Sequence, residues 1–286
     1  MTSGRSSRRA VELARSYPFY PGCSVHSTAV EYGDSAMAVC KTLGISLEEM
    51  SGWVCCGATP TASYSYDISL GLSMKNLGMV KGKSLVTPCS ACFKNLKGAE
   101  AHLAKQNAKP PRVQHLFQLL YDDVGLAAVK EKVKAPLKGL KVASYYGCLL
   151  TRVDPTFDSA EDPKKLDELT RALGGEPVKF AAKMKCCGGP ITLAKHARAV
   201  QMGGTILKAA KATGAHAVVT LCPMCGTMLD LYQKEALAGG SGGPIPVVYF
   251  TQLMALAFGL GADAAALDMN VVSTRPILAA LAGGRR

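Results

Sequence analysis

The sequence predicts an α/β protein built from two copies of one unit, and three observations carry that expectation. Ten of the eleven cysteines fall into two copies of a single order. Short β-rich runs lead straight into the cysteine loops, with helical stretches between them. The residues beside the cysteines repeat along with the cysteines themselves.

The first copy comprises Cys23, the adjacent pair Cys55-Cys56, and Cys89 with Cys92; the second comprises Cys148, Cys186-Cys187, and Cys222 with Cys225. As spacings these read C-x31-CC-x32-C-x2-C and C-x37-CC-x34-C-x2-C. Tyr20-Pro21-Gly22-Cys23 matches Tyr145-Tyr146-Gly147-Cys148, and Val54-Cys55-Cys56-Gly57 matches Lys185-Cys186-Cys187-Gly188. The offset grows from 125 to 131 to 133 residues, so the second copy carries small insertions. Residues 113–120 parallel 247–254. The boundary lies within 122–139, where Pro136 and Gly139 punctuate a charge-rich stretch.

Residues 84–87, 142–146 and 217–220 read as strands, and 29–43, 68–79, 166–173 and 195–213 as helices. Further helices are expected after each C-x2-C, at 91–105 and 226–238. Strand, cysteine loop, helix is how α/β folds present ligands at strand C-terminal ends. Gly22, Gly57, Gly147, Gly188 and Gly189 let the backbone come close to whatever the cysteines hold. Helix N-termini there favour thiolate over thiol.

Composition narrows the class. With 48% hydrophobic and 19% charged residues, a 286-residue chain is long and apolar enough for one large or two ordinary domains. No apolar run reaches 18 residues; the longest, 247–260, is interrupted by Thr251 and Gln252 and reads as a buried helix. Arg5, Arg8, Arg9 and Arg15 have no apolar stretch after them, so a cleaved secretory signal is not expected. An odd number of cysteines in C-x2-C pairs fits a reducing cytosol and metal binding. The net charge of +12 is dispersed and joins no nucleic-acid motif. An anionic substrate or an acidic partner explains it more economically.

Thiolates select zinc, iron–sulfur clusters or copper(I). A structural zinc and a cubane 4Fe–4S cluster each take four ligands, whereas each repeat offers five cysteines. Side chains of adjacent cysteines diverge in extended backbone, so they suit different metals of a cluster better than one ion. Two zinc sites, each with a spare cysteine, are the alternative.

Both copies resemble the CCG, or cysteine-rich, domain, and their tandem arrangement is similar to the B-subunit family of heterodisulfide reductase, over residues 17–260. The resemblance implies two duplicated CCG-type α/β units with pseudo-two-fold symmetry and cysteine loops facing a common cleft. The expected division is a basic tail at 1–16, a first CCG domain at 17–130, a linker at 131–139, a second CCG domain at 140–262 and a C-terminal extension at 263–286. It further implies two non-cubane 4Fe–4S clusters, one held by Cys23, Cys55, Cys56, Cys89 and Cys92, the other by Cys148, Cys186, Cys187, Cys222 and Cys225. Zinc in one site, or as a substitute, stays open. The longer gaps and the Cys187-Gly188-Gly189-Pro190 run of the second copy match the family pattern more fully.

The activity implied is a disulfide/thiol oxidoreductase, cleaving or forming a disulfide of small thiols as the catalytic subunit of a complex. The chain has neither a G-x-G-x-x-G fingerprint nor a ferredoxin-type cysteine run, so a ferredoxin-like iron–sulfur subunit and a flavin-containing subunit are the expected partners. The location expected is cytoplasmic, without a membrane span of its own, any membrane association coming through partners. The alternative function is an iron–sulfur electron-transfer subunit of a succinate or glycolate/lactate dehydrogenase; a zinc-stabilised scaffold is a third. Outside the ten cysteines, His26 is a proton-donor candidate and Lys183 and Lys185 are substrate-binding candidates, with surface roles as the plainer reading. Cys40, on an apolar helix without a counterpart, reads as core. Trp53 either shields the first site or packs inside.

Overall fold

A computed structural model describes residues 15–238 and 243–284. Of the expected basic tail, residues 1–14 lie outside that range; Arg15 and Ser16 open the first strand instead.

Two four-stranded parallel sheets carry the architecture. The first contains β1 (Arg15–Phe19), β2 (Ile45–Glu49), β3 (Ser84–Thr87) and β4 (Arg112–His115), in the order β2-β1-β3-β4. The second contains β5 (Lys141–Tyr145), β6 (Glu176–Pro177), β7 (Ala217–Thr220) and β8 (Val247–Tyr249), in the order β6-β5-β7-β8. Identical strand order in the two halves is the duplication written in the fold. In each sheet the chain leaves the first strand for the edge and returns to the other side. That reversal is where open α/β sheets form crevices at strand C-termini. Cys23 follows β1 and Cys89 follows β3, and Cys148 and Cys222 follow β5 and β7.

The longer helices are α1 (Val30–Thr42), α2 (Tyr66–Gly78), α3 (Ser90–Lys105), α4 (Lys165–Ala172), α5 (His196–Ala212), α6 (Pro223–Asp230), α7 (Phe250–Ala257) and α8 (Arg275–Gly283). Ser65 caps α2 by accepting from the Ile68 amide at 3.3 Å. On α3, Cys92, Phe93, Leu96 and Ala99 are buried at helical spacing, which turns that face to the core.

Two expected helices differ. Residues 247–260 begin as strand: Val247, Val248 and Tyr249 pair with β7, and the helix starts only at Phe250. A short apolar run such as Val247–Tyr249 fits either state, and pairing with β7 decides. The helix expected at 226–238 starts at Pro223, whose missing N–H costs nothing in the first turn, and stops at Asp230. A separate turn of helix, Gln233–Ala236, follows.

The halves meet along one seam. The Tyr32 ring of α1 stacks on Tyr249 at 4.2 Å and meets Phe250 edge-on at 5.9 Å. Ser35 Oγ lies 2.7 Å from Thr251 Oγ1, linking α1 to α7. The corresponding contact uses Phe157, packed on Phe117 at 5.7 Å and His115 at 6.0 Å, while Gln118 donates to Asp154. Residues 131–139 are strapped onto the second unit, the Lys134 and Ala135 amides both donating to the Ala257 carbonyl. The C-terminal segment also folds back on that unit: Asn270 bonds Gln252 and the Val247 carbonyl, and Ile277 and Leu281 are buried.

Candidate metal centre

Each cysteine set is assembled from three loops at the strand C-termini. The C-x2-C pairs are placed by helix starts. Cys89 and Cys222 are the N-cap residues of α3 and α6, and Cys92 and Cys225 lie in their first turns. The helix N-terminus carries partial positive charge, which favours a thiolate there.

The first loop approaches through glycine. Gly22 and Gly147 adopt φ of +74° and +71°, which suits glycine. A Cβ on Gly22 would stand 2.9 Å from Cys92 Sγ, and one on Gly147 would stand 3.2 Å from Cys225 Sγ. Both halves therefore leave the same gap against the same sulfur.

The adjacent-cysteine loops are held from below by a repeated tyrosine. Tyr20 donates to the Val54 carbonyl at 2.8 Å, and Tyr145 to the Lys185 carbonyl at 2.6 Å, each just before a cysteine pair. In the first unit Asn76 also brackets Val54, accepting from its amide and donating to its carbonyl. Asn95 and Ser73 donate to the Cys56 carbonyl. The second unit achieves its fit by close packing, a Cβ on Gly188 falling 2.7 Å from the Ala199 backbone. The aligned Tyr20 and Tyr145 were visible in the sequence as part of the repeat; their supporting role was not.

The sulfurs form a chain of contacts. Cys56 Sγ is 3.3 Å from Cys92 Sγ, and Cys225 Sγ is 3.4 Å from Cys187 Sγ. Hydrogen bonding from Cys23, then Cys56, pushes the Cys55 thiol down to about 2; Cys148, then Cys187, do the same for Cys186, also to about 2. Their donors move the other way, Cys56 to about 11 and Cys187 to about 12, while Cys23 and Cys148 are raised well above an ordinary thiol. Five thiols this close share protons because they cannot all ionise together without a compensating cation.

The two sets are not separate. Cys89 and Cys222 approach across the seam and their thiols couple: the neighbouring Cys222 thiol pushes Cys89 up, while Cys225 and then Cys89 hold Cys222 well below the usual thiol range. His115 is buried nearby. Its Nδ1 accepts from the Phe117 amide at 3.1 Å, its Nε2 has no partner, and burial pushes its pKa down to about 4.

These donors fit a polynuclear iron–sulfur group: five soft thiolates, a glycine gap against one of them in each half, and mutual repulsion that metal charge would relieve. Among the described residues no group of three or more His, Cys, Asp or Glu is arranged to hold a single metal ion.

The cysteine-rich domain family CCG matches residues 17–97 and 142–230, one match on each unit. The chain belongs to this family. It is 33% identical over 278 residues to the 8-methylmenaquinol:fumarate reductase membrane anchor subunit of Wolinella succinogenes, spanning 91% of this chain and 98% of that protein. It is 26% identical to the B subunit of the Ferredoxin/F(420)H(2)-dependent CoB-CoM heterodisulfide reductase of Methanosarcina acetivorans, over 91% of this chain and 95% of the other. A protein of Archaeoglobus profundus that is named as like the B subunit of heterodisulfide reductase is 27% identical over 85% of this chain and 90% of its own. The fold also resembles a hypothetical protein from Helicobacter pylori, with a TM-score of 0.70 at 13% identity, covering 90% of this chain and 52% of that one. Among the described residues no helix is long and apolar enough to cross a membrane.

Around the CCG sites, the remaining candidates take modest positions. His26 is exposed, bonds Glu49 Oε1 at 3.0 Å and stacks on Trp53 at 5.9 Å. Trp53 also donates to Glu49 and meets Tyr20 edge-on, so it is a half-buried wall beside the first cysteine pair. Lys183 Nζ is engaged by Asp162 and the Pro163 carbonyl. Lys185 is exposed and lines a groove with Arg152, Cys148 and Cys186. Cys40 is 1% exposed in the core, its thiol pushed up to about 12 by burial alone.

Proposed function

We propose that this protein is an iron–sulfur subunit of a multi-subunit redox complex. In this reading Cys23, Cys55, Cys56, Cys89 and Cys92 hold one non-cubane 4Fe–4S cluster. Cys148, Cys186, Cys187, Cys222 and Cys225 hold the other. The observation that carries the reading is the same five-thiol set at the strand C-termini of both halves, with Cys56 and Cys92 sulfurs 3.3 Å apart in one and Cys187 and Cys225 sulfurs 3.4 Å apart in the other. When bound, such clusters supply one-electron steps. The chain's own residues fix the loops through Tyr20 and Tyr145, leave room at Gly22 and Gly147, and shut water away from the inner sulfurs.

Six cysteines (Cys56, Cys89, Cys92, Cys187, Cys222 and Cys225) are buried, while Cys23 and Cys55 are exposed and Cys148 and Cys186 half-exposed. Contact at the outer thiolates and a buried path between them suit electron relay. The full-length similarity to a fumarate reductase component supports placing that relay in a dicarboxylate reductase or dehydrogenase complex. The second reading is catalysis at the seam: a disulfide/thiol oxidoreductase acting on a small thiol or disulfide, fed by ferredoxin-like and flavin-containing subunits. Several relatives named for the B subunit of heterodisulfide reductase favour it. Both readings place the protein in the cytoplasm, at the membrane only through partners.

The test is anaerobic reconstitution with iron and sulfide, then spectroscopy with and without small thiols and disulfides. Relay predicts reducible clusters whose spectra ignore those ligands; catalysis at the seam predicts a changed spectrum. Protein that takes up zinc but no iron under these conditions refutes both.

A further inference from the structure

The mouths of the two cysteine sets carry the same sulfurs and different charges. In the second set Cys148 and Cys186 are half-exposed, with Cys187, Cys222 and Cys225 buried. The two outer thiols open into a groove of about 510 Å³ that Arg152, Lys185, Met184 and Met202 also line. The shortest way from solvent to this set runs through that groove.

Both cations are built into the cysteine loops. Lys185 immediately precedes Cys186, and its carbonyl accepts from Tyr145 Oη at 2.6 Å, which fixes its backbone. Arg152 lies four residues after Cys148, in the single turn of helix Leu150–Val153. Both residues are exposed, and among the described residues neither pairs with a carboxylate. No acidic residue lines the groove. The first unit differs at the matching places. Val54 stands where the second unit has Lys185, and His26 and Trp53, near Cys23 and Cys55, both bond to Glu49. The duplicated fold therefore does not require the cation pair, which belongs to the second mouth alone.

We propose that an acidic one-electron carrier protein docks on this groove and exchanges electrons with the second cysteine set, a step that rests on the iron–sulfur reading above. Unpaired cations at an open mouth steer an anionic partner and speed its encounter by roughly ten- to a thousandfold, an effect that salt suppresses. Met184 and Met202 offer such a partner a soft apolar contact that adapts to its surface. In the step itself the reduced carrier loses one electron and the oxidised cluster gains it, with no bond made or broken. A small anion fits less well. It needs donors that converge out of water, whereas both cations here are exposed and the Thr205 hydroxyl is already donated to the Gln201 carbonyl.

A plant-type 2Fe–2S ferredoxin, chosen for its acidic surface, is the probe. Calorimetry of the full-length chain with oxidised ferredoxin should show one saturable site. Affinity should fall about tenfold in the double variant Arg152→Gln/Lys185→Gln and stay unchanged in Lys75→Gln/Lys105→Gln, which removes the same charge elsewhere. With clusters loaded anaerobically, stopped-flow reduction by reduced ferredoxin should slow by a similar factor in the groove variant. Reduction by the methyl viologen radical, a cation, should not slow. An equal loss in both double variants, or sulfate at constant ionic strength that binds at one site and displaces ferredoxin, overturns the proposal. Failure of the wild type to take up iron removes the iron–sulfur reading and the electron exchange together. Loaded protein whose groove variant binds ferredoxin as the wild type does rejects the docking surface alone.

Discussion

Cys89 and Cys222, 133 residues apart in sequence and equivalent in their repeats, face each other across the seam between the two units closely enough that each thiol shifts the ionisation of the other. Each occupies the N-cap position of a helix, so two helix N-termini converge there. The two buried thiols cannot both ionise without a compensating cation, so Cys89 is pushed up while Cys222 is pushed down. Any property that depends on both sites together should be sensitive to this pair.

Replacing Cys89 with Ser should therefore disturb the second site, although Cys89 belongs to the first. With both sites loaded anaerobically, the variant should alter the paramagnetic resonance signal assigned to the second cluster as well as the first. A Cys40→Ser control, buried outside the array, should alter neither. A second-site signal identical to wild type would separate the two sets.

Cys187→Ala should remove a thiolate that Gly188, Gly189 and Pro190 cannot replace, since none carries a ligating group. Anaerobic iron content should fall by about half if the second cluster is lost, with the fold retained because the sheet core does not depend on that sulfur. Cys40→Ala should keep its iron. Loss of iron in Cys40→Ala, or none in Cys187→Ala, would reject the ligand assignment.

Tyr20→Phe and Tyr145→Phe each remove one donor from a carbonyl beneath a cysteine pair. Each should cost about 1–3 kcal/mol in urea unfolding. Tyr20→Phe should fall at the lower end, because Asn76 still donates to the Val54 carbonyl.

Much of this arrangement was legible in the sequence because cysteines are rare and their order repeats. The grouping into five and five, and the strand-to-loop placement of Cys89, Cys148 and Cys222, needed only spacing and β-rich runs. Strands β2 and β4 were not legible. Ile45–Glu49 and Arg112–His115 are short and partly polar, and they become strands by pairing with β1 and β3. Val247–Tyr249 was hidden inside an apolar run that suits a helix equally well. Neither the Cys89–Cys222 contact nor the meeting of Glu31 with Asp230 leaves any local signal. Each joins a residue of one unit to a residue of the other, so it is set only when the two halves pack along the seam.

Glu31 gives a prediction with a definite sign. Its pKa stands at about 7 in the fold against 4.5 for the ordinary carboxyl, chiefly because of burial. Between those values the folded state holds a proton that the unfolded state has released, so stability falls as pH rises through that window. Below it both states are protonated and the penalty vanishes. Glu31→Gln removes the titration while keeping the side chain's size. The variant should therefore be more stable than wild type at pH 8, by on the order of 2 kcal/mol, and about equal to it at pH 4. Asp230, raised to about 6, leaves a weaker slope of the same sign in the variant. Urea unfolding of both proteins at the two pH values measures the difference. A variant that is less stable than wild type at pH 8 would mean that the Glu31 carboxylate is compensated in the fold, against the upward shift that burial gives it.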